Sequence, residues 1–325
     1  MDRRSAKRLK LFSAVGLLLI AGAVTAAGKP LLQAMAWLAP ETHIAALSIE
    51  PVTLNTIPSG PDIDTADAED WNSHFRQGEA LFRSPALLGG QAAKAGLSCN
   101  SCHVNGRGNR HFLFPGISGR AGTADVSNSF FSAKRHNGKF DPAVIPDLTS
   151  PGKLSRDSMS SDLENFIRDL IVEEFDGSEP GEEILNALAD YVRNIKAPTD
   201  GPQNRPVTLK SHLENIDDAL SSAQWDGVAS SERGLHILIA AARHQLSGIH
   251  ERFAGRKLRK QRQVLTKFAY RLGDIQKQSR SDRRLARNMI GNWRQDFHEA
   301  WPMLIRAETR SLYNQAKLEK ALSRD

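Results

Sequence analysis

The sequence predicts an all-α protein in which a domain of helices and long loops precedes a helical bundle. Apolar residues recur at helical spacing over most of the second half of the 325-residue chain. Residues 104–158 are instead rich in Gly, Pro, Ser and Asn and show little helical or strand pattern. Charged residues make up 25% and hydrophobic residues 40% of the chain, so we expect a packed core rather than disorder.

The N-terminus, residues 1–28, has the pattern of a secretory signal peptide. Five basic residues face one acid in the first ten positions, and an uncharged run follows that ends in small residues. Because apolar residues continue after Lys29, the alternative is an uncleaved N-terminal anchor. Both interpretations place the rest of the chain in the periplasm. An uncleaved anchor would also hold it at the inner membrane. Export argues against nucleic acid as a partner.

A linker and a first helix are predicted next. Residues 29–67 are assigned to the linker, since Pro, Thr and Asp are frequent there and periodicity is weak. A helix is expected from Asp67, with Trp71 and Phe75 on its apolar face, and we expect it to end at Gly89.

Two further helices are expected after the long loop. The first begins in "SSDLENFIRDLIVEEF", where Ser161 and Glu164 match a capping box, and the second lies in "GSEPGEEILNALADYVRNIK". Residues 197–207 contain three prolines and a glycine, which indicates a domain boundary. The predicted domains are therefore residues 68–198 and a basic helical bundle of four or five helices at residues 205–325.

The chain's only two cysteines, Cys99 and Cys102, lie in "CNSCH" and are followed directly by His103. A disulfide between them would close a very small loop and add little stability. The Cys-x-x-Cys-His spacing is typical of c-type haem attachment, in which each thiol reaches a vinyl group and the histidine faces the iron. We therefore expect one covalent haem c, bound by Cys99, Cys102 and His103, and a long loop that wraps it.

Two other interpretations of the cysteine pair fit less well. A redox dithiol is expected after a strand in a βαβ unit, and no strand pattern precedes Leu97. A structural zinc site needs a second pair of ligands, and the chain contains no further cysteine.

The sixth iron position decides between electron transfer and catalysis. Met159, in a loop just before a helix, is the first candidate ligand, with His136 and then His111 as alternatives and an open iron as a further one. Methionine opposite histidine raises the reduction potential and suits electron transfer, whereas an open iron permits peroxide chemistry. Arginine binds carboxylates bidentately, so one or two arginines of the loop are expected to bind the haem propionates: Arg107, Arg110, Arg120 or Arg135.

The chain resembles the bacterial di-haem cytochrome c peroxidases and, more widely, the c-type cytochromes. The stretch "GEALFRSPALLGG…GLSCNSCHVNGRGN" carries the likeness, as do Val126-Ser127-Asn128 and "HNG" at residues 136–138. In small c-type cytochromes a glycine of the helix before the motif lies against an aromatic residue of a later helix. Gly78 and Tyr191 match this pair. The likeness covers about residues 70–198.

The resemblance implies haem attachment by both cysteines and ligation by His103. The peroxidases have two haem motifs and this chain has one. Peroxidase activity is therefore not implied.

The C-terminal part carries a strongly basic segment. Residues 252–287 contain 13 Lys or Arg and two acids, whereas residues 162–190 are acidic. A basic helix can dock an acidic protein or an anionic membrane surface, although an ordinary solvated face is equally compatible with the pattern.

The sequence thus predicts an exported cytochrome that exchanges single electrons with a redox partner protein. One alternative is a peroxidase-like haem enzyme with an accessible iron. Another is a haem sensor or assembly factor that uses the bundle for interactions. No residue of the chain is nominated as catalytic.

Overall fold

The computed structural model describes residues 68–149, 152, 155–157, 159–195 and 208–322. The described chain is mostly helical, which confirms the all-α prediction. The predicted signal or anchor (residues 1–28), the linker (residues 29–67) and the boundary at residues 197–207 lie outside the described residues. No helix among the described residues is both long enough and apolar enough to span a membrane.

The first half of the described chain combines helices with a long loop. Its elements are α1 (Ala68–Phe82), α2 (Pro85–Leu88), α3 (Gly90–Lys94), α4 (Cys99–Cys102), a 3₁₀ turn (Val104–Gly106), β1 (Thr123–Ala124), β2 (Ala143–Val144), α5 (Asp162–Asp169), a π turn (Leu170–Glu174) and α6 (Glu182–Asn194). The two short strands pair antiparallel. The expectation that the first helix runs to Gly89 is wrong, because Pro85 cannot continue a helix and instead starts α2.

The second half forms the bundle that the apolar periodicity predicts. Its elements are α7 (Leu209–Ser222), a 3₁₀ turn (Gly227–Ser230), α8 (Glu232–Arg252), a 3₁₀ turn (Arg256–Leu258), α9 (Arg259–Gln278), α10 (Arg283–Ile305), a 3₁₀ turn (Glu308–Arg310) and α11 (Gln315–Leu322). Each of α7 to α10 packs on the next, and α10 returns to α7. Trp293 and Phe297 are fully buried at the centre, and the indole N–H of Trp293 donates to the Phe268 carbonyl at 3.0 Å.

The capping box predicted before α5 is wrong. The Ser161 backbone has φ −84° and ψ 9°, which is not the extended conformation of a capping residue, and its side chain caps no helix N–H. Glu164 instead forms an ion pair with Arg193 of α6, with an N–O distance of 2.7 Å. The two carboxyl-terminal helices of the first half are therefore held together by a charge pair.

The predicted close approach of Gly78 and Tyr191 is confirmed where α1 crosses α6. A Cβ atom on Gly78 would lie 2.8 Å from Cβ of Tyr191 and would also overlap the Ala187 carbonyl oxygen. The Tyr191 ring packs between Phe75 and Phe82, with both centroid distances at 5.1 Å. Only glycine at position 78 permits this crossing.

Helix α1 also packs on the bundle, against α7 and α8. The buried Gln77 amide donates to the Ser222 and Asp226 carbonyls at 2.8 Å each, and its oxygen accepts from the Val228 N–H at 3.0 Å. One buried core continues from α1 into the bundle, and all described residues belong to one compact unit. The division into two domains stays a prediction, and α1 is shared by both of them.

Candidate haem-attachment site

The Cys-x-x-Cys segment is a single helical turn, α4, that two serines hold in place. The Ser98 N–H donates to Oγ of Ser101 at 3.0 Å, and the two hydroxyl oxygens lie 3.5 Å apart. This reciprocal cap starts the turn at Cys99 and lets it end at Cys102. Both cysteines are thereby fixed on one turn, directly before His103.

Both cysteine thiols are free and half-buried. Desolvation raises the pKa of Cys99 to about 12, and desolvation together with the neighbouring Cys99 raises that of Cys102 to about 12. The two sulfurs are therefore protonated at neutral pH. Redox-active dithiols need a lowered pKa, because the thiolate is the reactive form, so these thiols are unsuited to disulfide exchange.

The His103 imidazole is held by a backbone carbonyl. Nδ1 of His103 lies 3.0 Å from the Pro146 carbonyl oxygen. Because a carbonyl oxygen can only accept, Nδ1 carries the proton and Nε2 keeps its lone pair. Metal-ligating histidines almost always use their other ring N–H in this way, which fixes the tautomer and the ring orientation.

The charge state of His103 also suits a metal ligand. Desolvation lowers its pKa to about 4, against the opposing effects of the Pro146 hydrogen bond and the Asp147 charge. The imidazole is therefore neutral at physiological pH, as binding to a metal requires.

The backbone around Pro146 is tied to the loop that follows the motif. The Ile145 N–H donates to the Gly122 carbonyl at 3.1 Å, and the Leu148 N–H donates to the Gly106 carbonyl at 2.9 Å. Gly108 allows the two backbone segments to approach closely, since a Cβ atom at position 108 would lie 2.5 Å from the Ile145 carbonyl oxygen. We call residues 104–149 the attachment loop, because they connect the motif to the carbonyl that orients His103.

The four arginines expected near the propionates have different partners. Nε of Arg107 donates to the Asp147 carboxylate at 2.7 Å, and Nε of Arg135 donates to Glu174 at 3.0 Å. Arg110 donates to the neighbouring His111 ring at 3.2 Å. Arg120 is exposed and forms no ion pair with the described part of the chain. The role of one or two of these arginines in propionate binding stays a prediction.

Two of the three candidate sixth ligands, Met159 and His136, are exposed. The Met159 side chain is 91% exposed, and its backbone N–H donates to Asp157 at 2.9 Å. His136 is also exposed, and His111 is half-buried. The assignment of Met159, or of His136 in its place, therefore stays a prediction.

Apolar side chains are unusually exposed in and just beyond the attachment loop. Among the described residues, six of the ten exposed large hydrophobic side chains fall between positions 113 and 166: Leu113, Val126, Phe140, Val144, Met159 and Phe166. Exposed apolar surface of this kind marks ligand-binding grooves and interfaces. Beneath it, Phe114, Phe130, Phe131 and Phe175 form a chain of ring contacts with centroid distances of 5.0 to 5.4 Å.

The contact between His103 and Pro146 was not anticipated from the sequence. His103 and Pro146 are 43 positions apart, and no periodic pattern links them. In the described ranges, no three or more His, Cys, Asp and Glu side chains form a group that could hold a bare metal ion. Comparison with models of known families, with curated proteins and with solved structures gives no significant match.

Proposed function

We propose that the chain is an exported c-type cytochrome that carries one covalent haem and transfers single electrons to or from a partner protein. The observation that carries this proposal is the His103 imidazole, which is neutral and oriented by the Pro146 carbonyl at the end of the Cys-x-x-Cys turn. The neutral imidazole with its Nδ1 hydrogen-bonded leaves Nε2 of His103 free to bind iron.

Cys99 and Cys102 would hold the cofactor through two thioether bonds. In each bond the sulfur adds to one carbon of a vinyl group and the thiol hydrogen passes to the other, so the addition involves no net oxidation. When bound, the haem supplies a one-electron couple between ferrous and ferric iron. The chain supplies the proximal nitrogen and the hydrogen bond that tunes its basicity.

The surroundings of the motif support a c-type cytochrome domain with loops that wrap the haem. The attachment loop exposes apolar side chains that a porphyrin face can cover, and Arg120 is available for a propionate. The crossing of Gly78 and Tyr191 supports the resemblance to the c-type cytochromes and the peroxidases related to them.

The sequences of the N-terminal segment and of the bundle support a location and a type of partner. Residues 1–28 support export to the periplasm, with cleavage or with retention in the inner membrane. The partner for electron exchange is a protein, and the basic helices of the bundle suit an acidic protein surface or an anionic membrane.

The test of attachment is a haem stain of the full chain after denaturing electrophoresis, since only covalent haem stays on the protein. We expect a stained band and no thiol that reacts with an alkylating reagent. His103→Ala is expected to lose the low-spin spectrum, whereas His298→Ala, a surface histidine of α10, keeps it. A colourless protein with two reactive thiols would contradict the proposal.

A second candidate function is a peroxidase-like haem enzyme with an accessible iron. The exposure of Met159 favours it, because a solvent-facing sulfur leaves the sixth position open. The absorption spectrum separates the two functions. Electron transfer is supported by a methionine-to-iron charge-transfer band that is lost in Met159→Ala and retained in His136→Ala. A high-spin ferric spectrum that changes on addition of peroxide supports the enzyme.

A further inference from the structure

A cleft lined by arginines opens at one end of the bundle, where the turn between α9 and α10 faces the beginning of α8. Its volume is about 750 Å³. Four arginines line it: Arg280, Arg283, Arg284 and Arg287. The volume lies in the range of about 300–1,000 Å³ that is typical of small-molecule sites.

Three of these guanidinium groups have unused donors. Arg280, Arg283 and Arg284 are exposed, and their side chains form no hydrogen bond or ion pair with the rest of the described chain. Arginine presents up to five N–H donors in a planar fork that matches oxyanions. The cleft therefore offers many donors that have only water as a partner.

The fourth arginine is held in a fixed position. Nη1 of Arg287 donates to the Asp226 carboxylate at 3.0 Å, and Nη2 donates to the Ala229 carbonyl at 2.9 Å. Its Nε is buried and has no partner among the described residues. Arg287 is therefore fixed by the protein, and the free donors of the cleft are those of the other three arginines.

Three acids also line the cleft: Asp226, Glu232 and Asp282. Asp226 is neutralised by Arg287, and Asp282 accepts the Leu285 N–H at 2.9 Å as the cap of α10. Because Asp282 already caps the N-terminus of α10, the N–H groups available to a ligand are those of the arginines. Desolvation and then Arg280 lower the pKa of the neighbouring His236, and Glu232 raises it. With Arg287 and Asp226 paired, three arginines face two acids, Glu232 and Asp282, so the cleft keeps a net positive charge.

We propose that this cleft binds a phosphate group. A phosphate monoester carries about 1.5 to 2 negative charges and three strong acceptor oxygens on one centre, whereas a carboxylate carries one charge and two oxygens. Several guanidinium forks around one cleft therefore suit phosphate better than a single carboxylate. The phosphate belongs either to a soluble compound or to a phospholipid head group, and the site is independent of the haem.

The test compares two double variants that remove the same charge from the full chain. Arg280→Gln/Arg284→Gln removes two arginines of the cleft. Arg259→Gln/Lys260→Gln removes two exposed basic residues at the start of α9 and serves as the control. Binding is measured by calorimetry with pyrophosphate, and by co-sedimentation with vesicles of equal parts phosphatidylglycerol and phosphatidylcholine.

A soluble ligand is supported if pyrophosphate binding is saturable and specific to the cleft. In that case the cleft variant weakens the affinity about tenfold, and the control variant weakens it less than about twofold. The same pattern with vesicles alone supports a lipid head group. An equal loss in both variants would show non-specific attraction and overturn the proposal. So would the absence of binding in both assays, or a hexaglutamate peptide that binds as tightly as pyrophosphate.

Discussion

The bundle and the attachment loop are stabilised in different ways. In the bundle, the largest apolar side chains, such as Trp293 and Phe297, are fully buried against neighbouring helices. In the attachment loop, Leu113, Phe140 and Val144 are exposed, and the backbone is held by turns and by single side-chain bonds. A region that buries its own apolar surface needs no cofactor, whereas the proposed haem would stabilise the loop by covering its exposed apolar side chains.

The largest effect is expected from removal of both attachment cysteines. The Cys99→Ala/Cys102→Ala variant should carry no covalent haem, and the amide hydrogens of residues 104–149 should exchange about tenfold faster or more than in the wild type. The bundle, residues 209–322, is the internal control and should change less than about twofold. Hydrogen exchange read by mass spectrometry measures both regions in one experiment. Equal exchange of the loop in the two proteins would contradict a stabilising cofactor.

A second variant tests how far the bundle depends on α1. Gln77→Leu leaves the Ser222 and Asp226 carbonyls and the Val228 N–H without their partner. We expect the free energy of unfolding to fall by about 2–4 kcal/mol, because buried polar groups lose their hydrogen bonds. Gln91→Leu, at an exposed position of α3, is the control and should change it by less than about 0.5 kcal/mol.

Urea denaturation followed by circular dichroism measures this effect mainly through the bundle helices. If Gln77→Leu leaves the midpoint unchanged, the Gln77 hydrogen bonds add little to the stability of the bundle. A loss of stability shows that the bundle depends on its contact with α1.

A third pair of variants tests the helix crossing beneath the motif. Gly78→Ala places a methyl group 2.8 Å from Cβ of Tyr191 and against the Ala187 carbonyl, so we expect a loss of about 2 kcal/mol. Gly248→Ala is the control in α8, where nothing lies within 4 Å of the new methyl group. It should gain up to about 1 kcal/mol from helix propensity. Equal effects of the two substitutions in urea denaturation would argue against a tight crossing.

The two regions also differ in how far their structures could be predicted from the sequence. The helices α7 to α10 follow from apolar periodicity, because each helix must bury one face. The Cys-x-x-Cys-His turn was also predicted, since its spacing is a local sequence signature, and the crossing of Gly78 and Tyr191 was predicted from the resemblance to small c-type cytochromes. The contact of His103 with Pro146 was not, because hydrogen bonds between distant loop residues depend on tertiary packing and leave no periodic trace. The hydrogen bonds of the Gln77 amide were not predicted for the same reason.

The smallest effect near neutral pH is expected from His212, a residue of the bundle far along the chain from the motif, because it changes stability only on acidification. Desolvation, followed by the charges of Arg252 and Arg83, lowers its pKa to about 3, and its Nδ1 lies 2.7 Å from the Tyr313 hydroxyl. The folded chain therefore keeps His212 neutral below the ordinary pKa of 6.5, at which the unfolded chain binds a proton. Because the unfolded state binds more protons between these two values, the His212 contribution to stability is lost as the pH falls below about 6.5.

The His212 contribution to this loss is about 1.4 kcal/mol for each pH unit between 6.5 and the lower pKa. His212→Gln keeps an acceptor for Tyr313 but cannot titrate, so its unfolding free energy should fall less steeply on acidification. Urea denaturation at pH values of about 7, 6 and 5 gives the two slopes. If the His212→Gln slope equals that of the wild type, His212 is not the source of the acid sensitivity, and the other bundle histidines with a lowered pKa, His236 and His250, become the next candidates.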